Sequence, residues 1–485
     1  MRVLSTIVVL GLAGSAAAQP PGQPRLDSIM QAYFSLAGQS ESIWPGFRAD
    51  TIPVALVVQG GTRLYNWTGP LPAGFIPIPG VARAGWRDSA AAGAASTGIR
   101  IGERGVAQVV VREPDPAEVI PTAFHEAFHV FQASRRSPGQ RFGDGEQSFL
   151  ISSYPVFDTR NEGLFALEAG ILAAALEASG GRARELTRQF VSVRRERLGR
   201  LAMEYAQFDR ASELNEGLAE YALVRGLELL AGGSGVPESW RGAARVRLAE
   251  LPARLRQVVA DSTQSLRLRY YHTGPAQARL LDRMDRGWKA RFIAEDRWLD
   301  DVLARASGLD QVQMMAYRAA VAENDSAAVF RTAGAAIQAL QQRRQRQVDG
   351  LLAGPGVLLV IRADSLPSRD FNPCGFDPQN LLQVSEKVRL HTRWWRPCSG
   401  GPTYAEFEVP SVHDSERGTV SAVVPAETEV SLTAGGQPVS LPGEGETLRD
   451  LLQVRLVAGP ARVEAVRADV SRNGRVITIW PKRPL

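Results

Sequence analysis

The chain has 485 residues, 44% of them hydrophobic, which is enough material to bury the cores of two or three domains. Its 56 Lys and Arg residues exceed its 51 Asp and Glu residues by five, and the two signs are interleaved along the sequence. No stripe of basic and aromatic residues is present, so the sequence predicts no nucleic-acid partner. No apolar run after the amino terminus approaches roughly 20 residues, so we expect no stable membrane span.

Residues 1–18 have the pattern of a secretory signal peptide. Met1-Arg2 precedes an apolar run from Val3 to Ala13, and the small residues Ala16-Ala17-Ala18 favour cleavage before Gln19. The apolar run is too short for a lasting membrane anchor. We therefore expect an exported protein, either periplasmic or secreted.

The mature chain begins with the pattern of one short helix and a small sheet. The spacing predicts a helix over Leu26 to Leu36, and Gly60-Gly61 separates two β-rich runs, Pro53 to Gln59 and Thr62 to Trp67. A third strand is predicted from Gly105 to Arg112, a run rich in valine. We therefore expect a small amino-terminal sheet whose last strand leads directly into a helix.

That helix has a well-marked beginning in the sequence. Asp115 suits the N-cap, Pro116 suits the first helical position, and Glu118 has the spacing of a capping box. Pro121 would fall in the second turn, so a start at that residue is an alternative. Both starts leave the histidines that follow inside the helix.

His125 and His129 are two of only five histidines in the whole chain. Since they are four residues apart on a helix, their imidazoles project from the same face and can bind one metal ion. Glu126 lies beside them and is the one charged residue between Thr122 and Phe131. A carboxylate in so apolar a segment needs a compensating partner, and a metal ion would supply it.

From Glu162 to about Gln347 the sequence is helical in pattern. Arg184 to Tyr205 predicts one long amphipathic helix, and we expect its many arginines to form the solvated face. The other helices are predicted at Glu162 to Ala178, Leu214 to Leu230, Trp240 to Val259, Pro275 to Phe292, Trp298 to Ala306 and Asp325 to Gln347. This stretch should form the body of a mainly helical domain.

From Gly356 onward, short runs of Val, Leu and Thr are broken by Gly, Pro, Asn and Asp, which is typical of an all-β module. Its strands are predicted at Val388 to Trp395, Thr403 to Val409, Gly418 to Val424, Thr428 to Thr433, Leu452 to Val457 and Val476 to Ile479. Cys374 and Cys398, the only cysteines, both lie in this module. In an exported protein such a pair favours one disulfide.

Two histidines alone leave a catalytic zinc site incomplete, because such a site needs three protein ligands and one open position. The metzincin pattern would place Gly at position 132 and His at position 135. Gln132 and Arg135 occupy those positions, so that pattern is excluded. The third ligand must therefore come from another part of the chain.

Asn215-Glu216-Gly217 lies on a predicted helix on which Glu216 and Glu220 share one face. Glu216 can complete the metal site, while Glu220 can accept an N–H from a ligating imidazole and so fix its tautomer. Glu162, in an earlier Asn-Glu-Gly, and Glu168 on the same predicted helix are the alternatives. The sequence leaves this choice open.

The strand before the histidine-bearing helix and the later Asn-Glu-Gly helix resemble the gluzincin metallopeptidases, the thermolysin-like group. The resemblance covers Gly105 to Phe131 and Leu214 to Tyr221, which is under a tenth of the chain. It departs from that group in spacing, because 86 residues separate His129 from Glu216.

This resemblance implies an exported peptidase that hydrolyses the peptide bonds of a peptide or protein substrate. Zn²⁺ would be bound by His125, His129 and Glu216. Glu126 would act as general base on a zinc-activated water.

A tetrahedral oxyanion also needs hydrogen-bond donors. Tyr270-Tyr271-His272, on a predicted loop before a helix, offers Tyr271 and His272 for that role. The alternative is that these side chains only pack or lie exposed. The strand from Gly105 to Arg112 can hold an extended substrate by edge pairing.

The sequence therefore predicts an α+β protein with two domains after the signal peptide. A zincin-like, mainly helical catalytic domain with a small amino-terminal sheet is expected at residues 19–350, and an all-β domain at 351–485. The alternative function is that of a non-catalytic exported binding or structural protein that retains the zincin-like domain. Glu126 favours the enzyme, because a dead site would not need a general base. The oligomeric state has no signal in the sequence.

Overall fold

The computed structural model describes residues 26–88, 95–145, 147–260, 266–310, 312–363, 366, 371–377, 380–399 and 403–483. The expected signal peptide at 1–18 lies outside these residues. The fold class is α+β, as predicted, with a small sheet near the amino terminus, a long helical region and a large carboxy-terminal sheet. None of the described helices is both long and apolar enough to cross a membrane.

Contacts divide the chain into two compact units. Among the described residues, one unit takes the positions up to 134 together with 222–248, and the other takes 135–221 and 249–483. The domain boundary predicted between residues 350 and 351 stays a prediction. Near it the chain changes from helix to strand, since a helix ends at Ala353 and a strand begins at Val357.

A six-stranded sheet belongs to the first unit. Its strands are β1 (Val54–Val58), β2 (Gly61–Tyr65), β3 (Ile76–Pro77), β4 (Gly85–Arg87), β5 (Thr97–Ile101) and β6 (Arg104–Val110). Their order is β3-β4-β2-β1-β6-β5, with β1 and β6 parallel and the other neighbours antiparallel. The three predicted strands are confirmed as β1, β2 and β6, and β5 is the terminal strand beside β6.

The helical region contains the predicted helices, but the runs predicted as single helices at Trp240 to Val259 and at Pro275 to Phe292 are each divided into two helices. The α-helices of the described residues are α1 (Leu26–Ala37), α2 (Pro116–Ser134), α3 (Thr159–Glu177), α4 (Gly180–Leu198), α5 (Met203–Ser212), α6 (Leu218–Gly232), α7 (Glu238–Ala249), α8 (Leu251–Ala260), α9 (Tyr270–Met284), α10 (Trp288–Glu295), α11 (Leu299–Ser307), α12 (Gln313–Glu323) and α13 (Ser326–Ala353). α12 has no counterpart in the sequence prediction.

α2 begins at the residue that the capping pattern indicates. The Asp115 carboxylate accepts a hydrogen bond of 2.9 Å from the amide of Ala117, so it caps the first turn. Arg247 on α7 donates to the same carboxylate at 2.9 Å and to the carbonyl of Ala117 at 2.7 Å. Pro121 lies inside the helix, so the alternative start there is wrong.

The aromatic residues of α2 hold it in the first unit. The ring of Phe124 lies 5.0 Å from that of Tyr33 on α1, and the ring of Phe128 lies 5.7 Å from that of Trp44. All four residues are buried. This packing buries the apolar face of α2 and so fixes the rotation of the helix about its axis.

The single helix predicted from Arg184 to Tyr205 is wrong, because α4 ends at Leu198 and α5 begins at Met203. Gly199 follows α4, and its amide donates to the carbonyl of Arg195. Glycine is a poor helix former, so the chain turns here although the apolar spacing continues beyond it.

The expectation that the arginines of α4 form a solvated face is wrong for Arg194 and Arg197, which are both buried. Arg197 donates to both carboxylate oxygens of Glu168 on α3, at 2.7 and 3.2 Å, and to Asp209 on α5 at 2.7 Å. Burial raises the pKa of Glu168, and the two guanidinium groups oppose that shift. A buried guanidinium is tolerated because carboxylates compensate its charge, and helical periodicity does not reveal such partners.

Arg194 extends this group of charges to two further segments. Its guanidinium lies 2.6 Å from Glu213 and 3.5 Å from Asp300 on α11. Asp300 is also 2.8 Å from Arg210 on α5. We use the name buried ion network for six side chains: Glu168, Arg194, Arg197, Asp209, Glu213 and Asp300.

The carboxy-terminal sheet contains thirteen strands within the described residues. They are β7 (Val357–Arg362), β8 (Asn372–Phe376), β9 (Leu381–Gln383), β10 (Val388–His391), β11 (Trp395–Cys398), β12 (Thr403–Phe407), β13 (Ser411–Asp414), β14 (Thr419–Val424), β15 (Val430–Ala434), β16 (Gln437–Val439), β17 (Thr447–Ala458), β18 (Ala461–Asn473) and β19 (Val476–Pro481). Their order is β16-β15-β17-β18-β19-β7-β14-β13-β10-β9, while β12 pairs with β18 and β11, and β11 with β8. The predicted all-β character of this region is confirmed, but the single strand predicted from Val388 to Trp395 is wrong, because β10 ends at His391 and β11 begins at Trp395.

The β9 edge of this sheet is tied to helical parts of the same unit. Arg344 on α13 donates a hydrogen bond of 2.5 Å to the carbonyl of Gln383. The Gln383 side chain donates to the carbonyl of Ile151 at 2.7 Å. Both contacts are buried, so each is shielded from competition with water.

Cys374 and Cys398 are disulfide-bonded, as predicted, with their Cα atoms 5.9 Å apart. They lie on the neighbouring antiparallel strands β8 and β11, and the register places Asn372 opposite Cys398. The bond therefore links two strands that are already paired.

His391 is buried in the sheet against an aromatic ring. Its imidazole stacks on the indole of Trp395 at 4.2 Å between ring centroids, and the ring of His413 lies 5.0 Å from the same indole. Burial, together with the smaller effects of the nearby His413 and Arg389, lowers the pKa of His391 to about 3. The folded protein therefore holds this imidazole neutral.

We expect acid to lower the free energy of unfolding through His391. Its folded pKa of about 3 lies below the ordinary value of 6.5, so below pH 6.5 the unfolded chain binds a proton that the folded chain does not. The contribution is complete above pH 6.5 and falls by up to about 1.4 kcal/mol per pH unit below it. His391→Phe should cancel roughly 2 kcal/mol of the loss between pH 7 and pH 5.

Urea unfolding of both proteins at the two pH values, with a chelator present, measures this difference. An equal loss of stability in His391→Phe contradicts the prediction.

Candidate metal centre

α2 brings two imidazoles together, as the four-residue spacing predicts. The Nε2 atoms of His125 and His129 lie 3.1 Å apart. His125 is buried and His129 is half-buried. Two ligand nitrogens of one tetrahedral zinc ion are roughly 3.3 Å apart when each bond is about 2.05 Å long, so the pair fits a shared ion.

Gln132 fixes the orientation of His129. Its side-chain Oε1 lies 3.0 Å from Nδ1 of His129, one turn earlier on the helix. Because an amide oxygen only accepts, Nδ1 carries the proton and Nε2 keeps its lone pair. This partner therefore selects the tautomer that leaves Nε2 available to a metal ion.

Glu216 joins the two histidines. One ligand atom from each of His125, His129 and Glu216 lies within 4.8 Å of the other two. Glu216 is buried, with 3% of its surface exposed. Two imidazoles and one carboxylate are a donor set that zinc accepts, and they leave a fourth position open.

Glu216 lies in a π-helical turn, Glu213–Gly217, between α5 and α6. The amide of Leu218 donates to the carbonyl of Glu213, five residues earlier, which is the π-helical spacing. A π-turn inside a helix is uncommon and often marks a functional site. The predicted helix from Leu214 is thus present, but its first turn is wider than an α-helical turn.

Two side chains hold the Glu216 carboxylate. Arg267 forms an ion pair of 2.5 Å with Oε1, and the side-chain amide of Asn215 donates to the same oxygen at 3.2 Å. Both contacts use Oε1, so they restrict the rotation of the carboxylate. A buried carboxylate is costly without a partner, and the guanidinium of Arg267 supplies one.

The earlier Asn-Glu-Gly has the same kind of local contacts as Asn215-Glu216-Gly217. Asn161 donates to Glu162 at 3.1 Å, and Arg269 forms an ion pair with that carboxylate. Glu168 is bound by Arg197 in the buried ion network. Within the part of the chain that the structure describes, neither Glu162 nor Glu168 belongs to the histidine group.

The predicted loop at Tyr270-Tyr271-His272 is wrong, because these residues form the first turn of α9. Tyr270 is buried and donates to Asp209, so a tertiary contact extends the helix before Pro275. Proline in the second turn costs one backbone hydrogen bond, which the packing of this turn offsets.

Tyr271 and His272 lie in different surroundings. The guanidinium of Arg267, which binds Glu216, is 5.8 Å from the centre of the Tyr271 ring. Burial lowers the pKa of His272, and the charge of Glu220 opposes that shift. The predicted catalytic roles of Tyr271 and His272, and the predicted hydrogen bond of Glu220 to a ligating imidazole, stay predictions.

The β5–β6 hairpin lies against α2 at the histidines. A Cβ atom on Gly98 of β5 would be 3.4 Å from the Cβ of His129, and one on Gly105 of β6 would be 2.5 Å from Cγ1 of Val130. The two glycines therefore permit a close approach. The expectation that the strand from Gly105 to Arg112 provides an open edge is wrong, because β6 pairs with β1 and β5, and β5 is the terminal strand.

Sequence reasoning identified the three candidate ligands but not their nearest partners. Gln132 has a local signal, since it is three residues from His129 on the same helix. Arg267 has none, because it is 51 residues from Glu216 in the sequence.

Comparison with known proteins gives no relative for this chain: no family model, no curated protein and no solved structure matches it. The function is therefore inferred from the chemistry and geometry of the site itself.

We expect Glu216→Ala to remove most of the metal and Glu162→Ala to leave it in place. The two carboxylates make a matched pair, since each follows an asparagine, precedes a glycine and binds an arginine. Only Glu216 offers an oxygen close to both imidazoles. Zinc content per chain, measured by atomic emission after dialysis, should fall from about one to well below one in Glu216→Ala.

The reverse result, with zinc lost in Glu162→Ala and kept in Glu216→Ala, would show that Glu216 is not the third ligand.

Proposed function

We propose that the protein is a zinc-dependent peptidase of the HExxH type, with His125, His129 and Glu216 as metal ligands. The observation that carries the proposal is that one ring nitrogen from each histidine and one carboxylate oxygen of Glu216 lie within 4.8 Å of one another. The position of Glu126 directly after the first histidine supports it. The zincin-like character of the helical domain belongs to this proposal.

Glu126 is the proposed general base. It is buried, with 5% of its surface exposed, on the same helix as both histidines. It accepts the proton of the attacking water and returns it to the leaving amine.

Zinc, when bound, lowers the pKa of a coordinated water and polarises the substrate carbonyl. Gln132 keeps His129 in the tautomer suited to the metal, and Arg267 orients Glu216. Tyr271, beside Arg267, and His272 are the proposed donors to the oxyanion.

β5 is the proposed seat of an extended peptide. It is the terminal strand of its sheet, and Gly98 brings it next to His129. A strand at a sheet edge presents backbone N–H and C=O groups to a partner chain. A peptide paired with β5 would therefore run past the metal ligands of α2.

Export fits the disulfide, because such bonds persist in oxidising compartments. We infer that the protein acts outside the cytoplasm, in the periplasm or after secretion, on a peptide or protein substrate.

We expect Glu126→Gln to keep the metal and to lower turnover by the order of 10²-fold or more, the scale of general-base catalysis. Glu118→Gln is the matched control, since Glu118 is an exposed carboxylate in the first turn of the same helix. Cleavage of an unstructured protein, followed by mass spectrometry with and without a chelator, measures both variants.

If the wild-type protein cleaves none of a varied set of substrates, the alternative is favoured, a non-catalytic binding or structural protein. Full turnover in Glu126→Gln would contradict the assignment of Glu126 as the base, but not the assignment of the metal ligands.

Pairing with β5 predicts that substrate backbone amides contribute to binding. N-methylation of one paired amide beside the cleaved bond should raise KM roughly fivefold, the effect of about 1 kcal/mol per lost hydrogen bond. The same methylation far from the cleaved bond serves as the control. Equal KM values for both peptides would contradict the pairing.

A further inference from the structure

The residue three positions before Glu216 is held from two sides. The hydroxyl of Thr273 on α9 donates to Oε1 of Glu213 at 2.6 Å, and Arg194 binds Oε2 of Glu213 at 2.6 Å. Glu213, Thr273 and Arg194 are all buried. Both oxygens of Glu213 are thus engaged, one by Thr273 and the other by Arg194 of the buried ion network.

The residue that follows Glu216 is held by close packing. A Cβ atom on Gly217 would lie 2.7 Å from the Cα of Gly274 and 3.0 Å from the carbonyl oxygen of Tyr270. Only a glycine fits at such a distance between two backbones. The π-helical turn is therefore fixed to α9 on both sides of Glu216.

A π-turn needs such anchors. Its hydrogen bonds span five residues, and helical segments without outside contacts favour the α-helical spacing of four. A return to that spacing would rotate Glu216 about the helix axis relative to its neighbours. The direction of the Glu216 carboxylate thus depends on the contacts that keep the turn wide.

We propose that Glu213 is a positioning residue that sets the direction of Glu216 through the π-helical turn. Thr273 and Arg194 hold Glu213, and Glu213 holds the turn. This inference rests on the proposed function, because it requires Glu216 to be a metal ligand. It assigns to the buried ion network a task beyond the stability of the helices.

Thr273→Val removes the hydroxyl that binds Glu213 and keeps the size of the side chain. Thr273→Ser restores the hydroxyl and is the rescue variant. The matched control is Tyr154→Phe, which also removes one buried hydroxyl that is hydrogen-bonded to the buried ion network. Tyr154 donates to Asp209 at 3.1 Å and accepts from Arg197 at 3.2 Å, and it makes no contact with Glu213 in the described hydrogen bonds.

The readouts are the zinc dissociation constant, from competition with a chelator, and the visible spectrum of the full-length chain loaded with Co²⁺. Thr273→Val should weaken zinc binding by roughly 10-fold, the lower end for an outer partner of a ligand, and should shift the Co²⁺ spectrum. Thr273→Ser should restore both values. Tyr154→Phe should lower the urea midpoint of unfolding as Thr273→Val does and leave zinc affinity and spectrum unchanged.

Two results would overturn the inference: wild-type zinc affinity in Thr273→Val, or an equal loss in Tyr154→Phe. Should Thr273→Val fail to fold, Glu213→Gln decides in its place, with the same expected loss of affinity and the same contradiction by a wild-type value. A wild-type chain that binds no zinc is a separate outcome, because it refutes the proposed function and this inference with it.

Discussion

The compensation of buried charge is the constraint on which the helical region depends. Arg194 and Arg197 lie in the interior, where an unpaired guanidinium would be strongly destabilising, so four carboxylates from four segments must meet them. This requirement fixes α3, α4, α5 and α11 relative to one another more specifically than apolar contacts would. The π-helical turn that carries Glu216 contributes one of those carboxylates, Glu213. The position of Glu216 in the candidate site therefore depends on the same constraint.

The parts of the fold that could be predicted are those with local causes. α2 begins where Asp115 can cap it, and its face is set by phenylalanines at helical spacing. His125 and His129 come together because four residues make about one helical turn. A glycine pair marks the turn between β1 and β2. In each case the residues that decide the structure lie within one turn or one hairpin of each other.

The parts that could not be predicted have causes far away in the sequence. Arg197 has the spacing of a solvated residue and is buried because Glu168 and Asp209 surround it. The first turn of α9 forms because Tyr270 reaches Asp209, 61 residues earlier. Arg267 has no motif at all. Sequence patterns indicate which face of a helix a side chain occupies. The partner that compensates a buried charge is supplied by the tertiary fold.

The first compact unit is discontinuous in sequence, which bears on how the chain is made. α2 packs with residues of 222–248: Arg247 binds Asp115 and Ala117, and the ring of Phe124 fills the space beside Gly226. Residues 135–221 are synthesised in between, which takes roughly 4 to 17 seconds at about 5 to 20 residues per second. For that time the nascent chain carries the apolar face of α2 without its later partners. The contacts of α2 with Tyr33 and Trp44 can therefore form during synthesis, and those with Gly226 and Arg247 only afterwards.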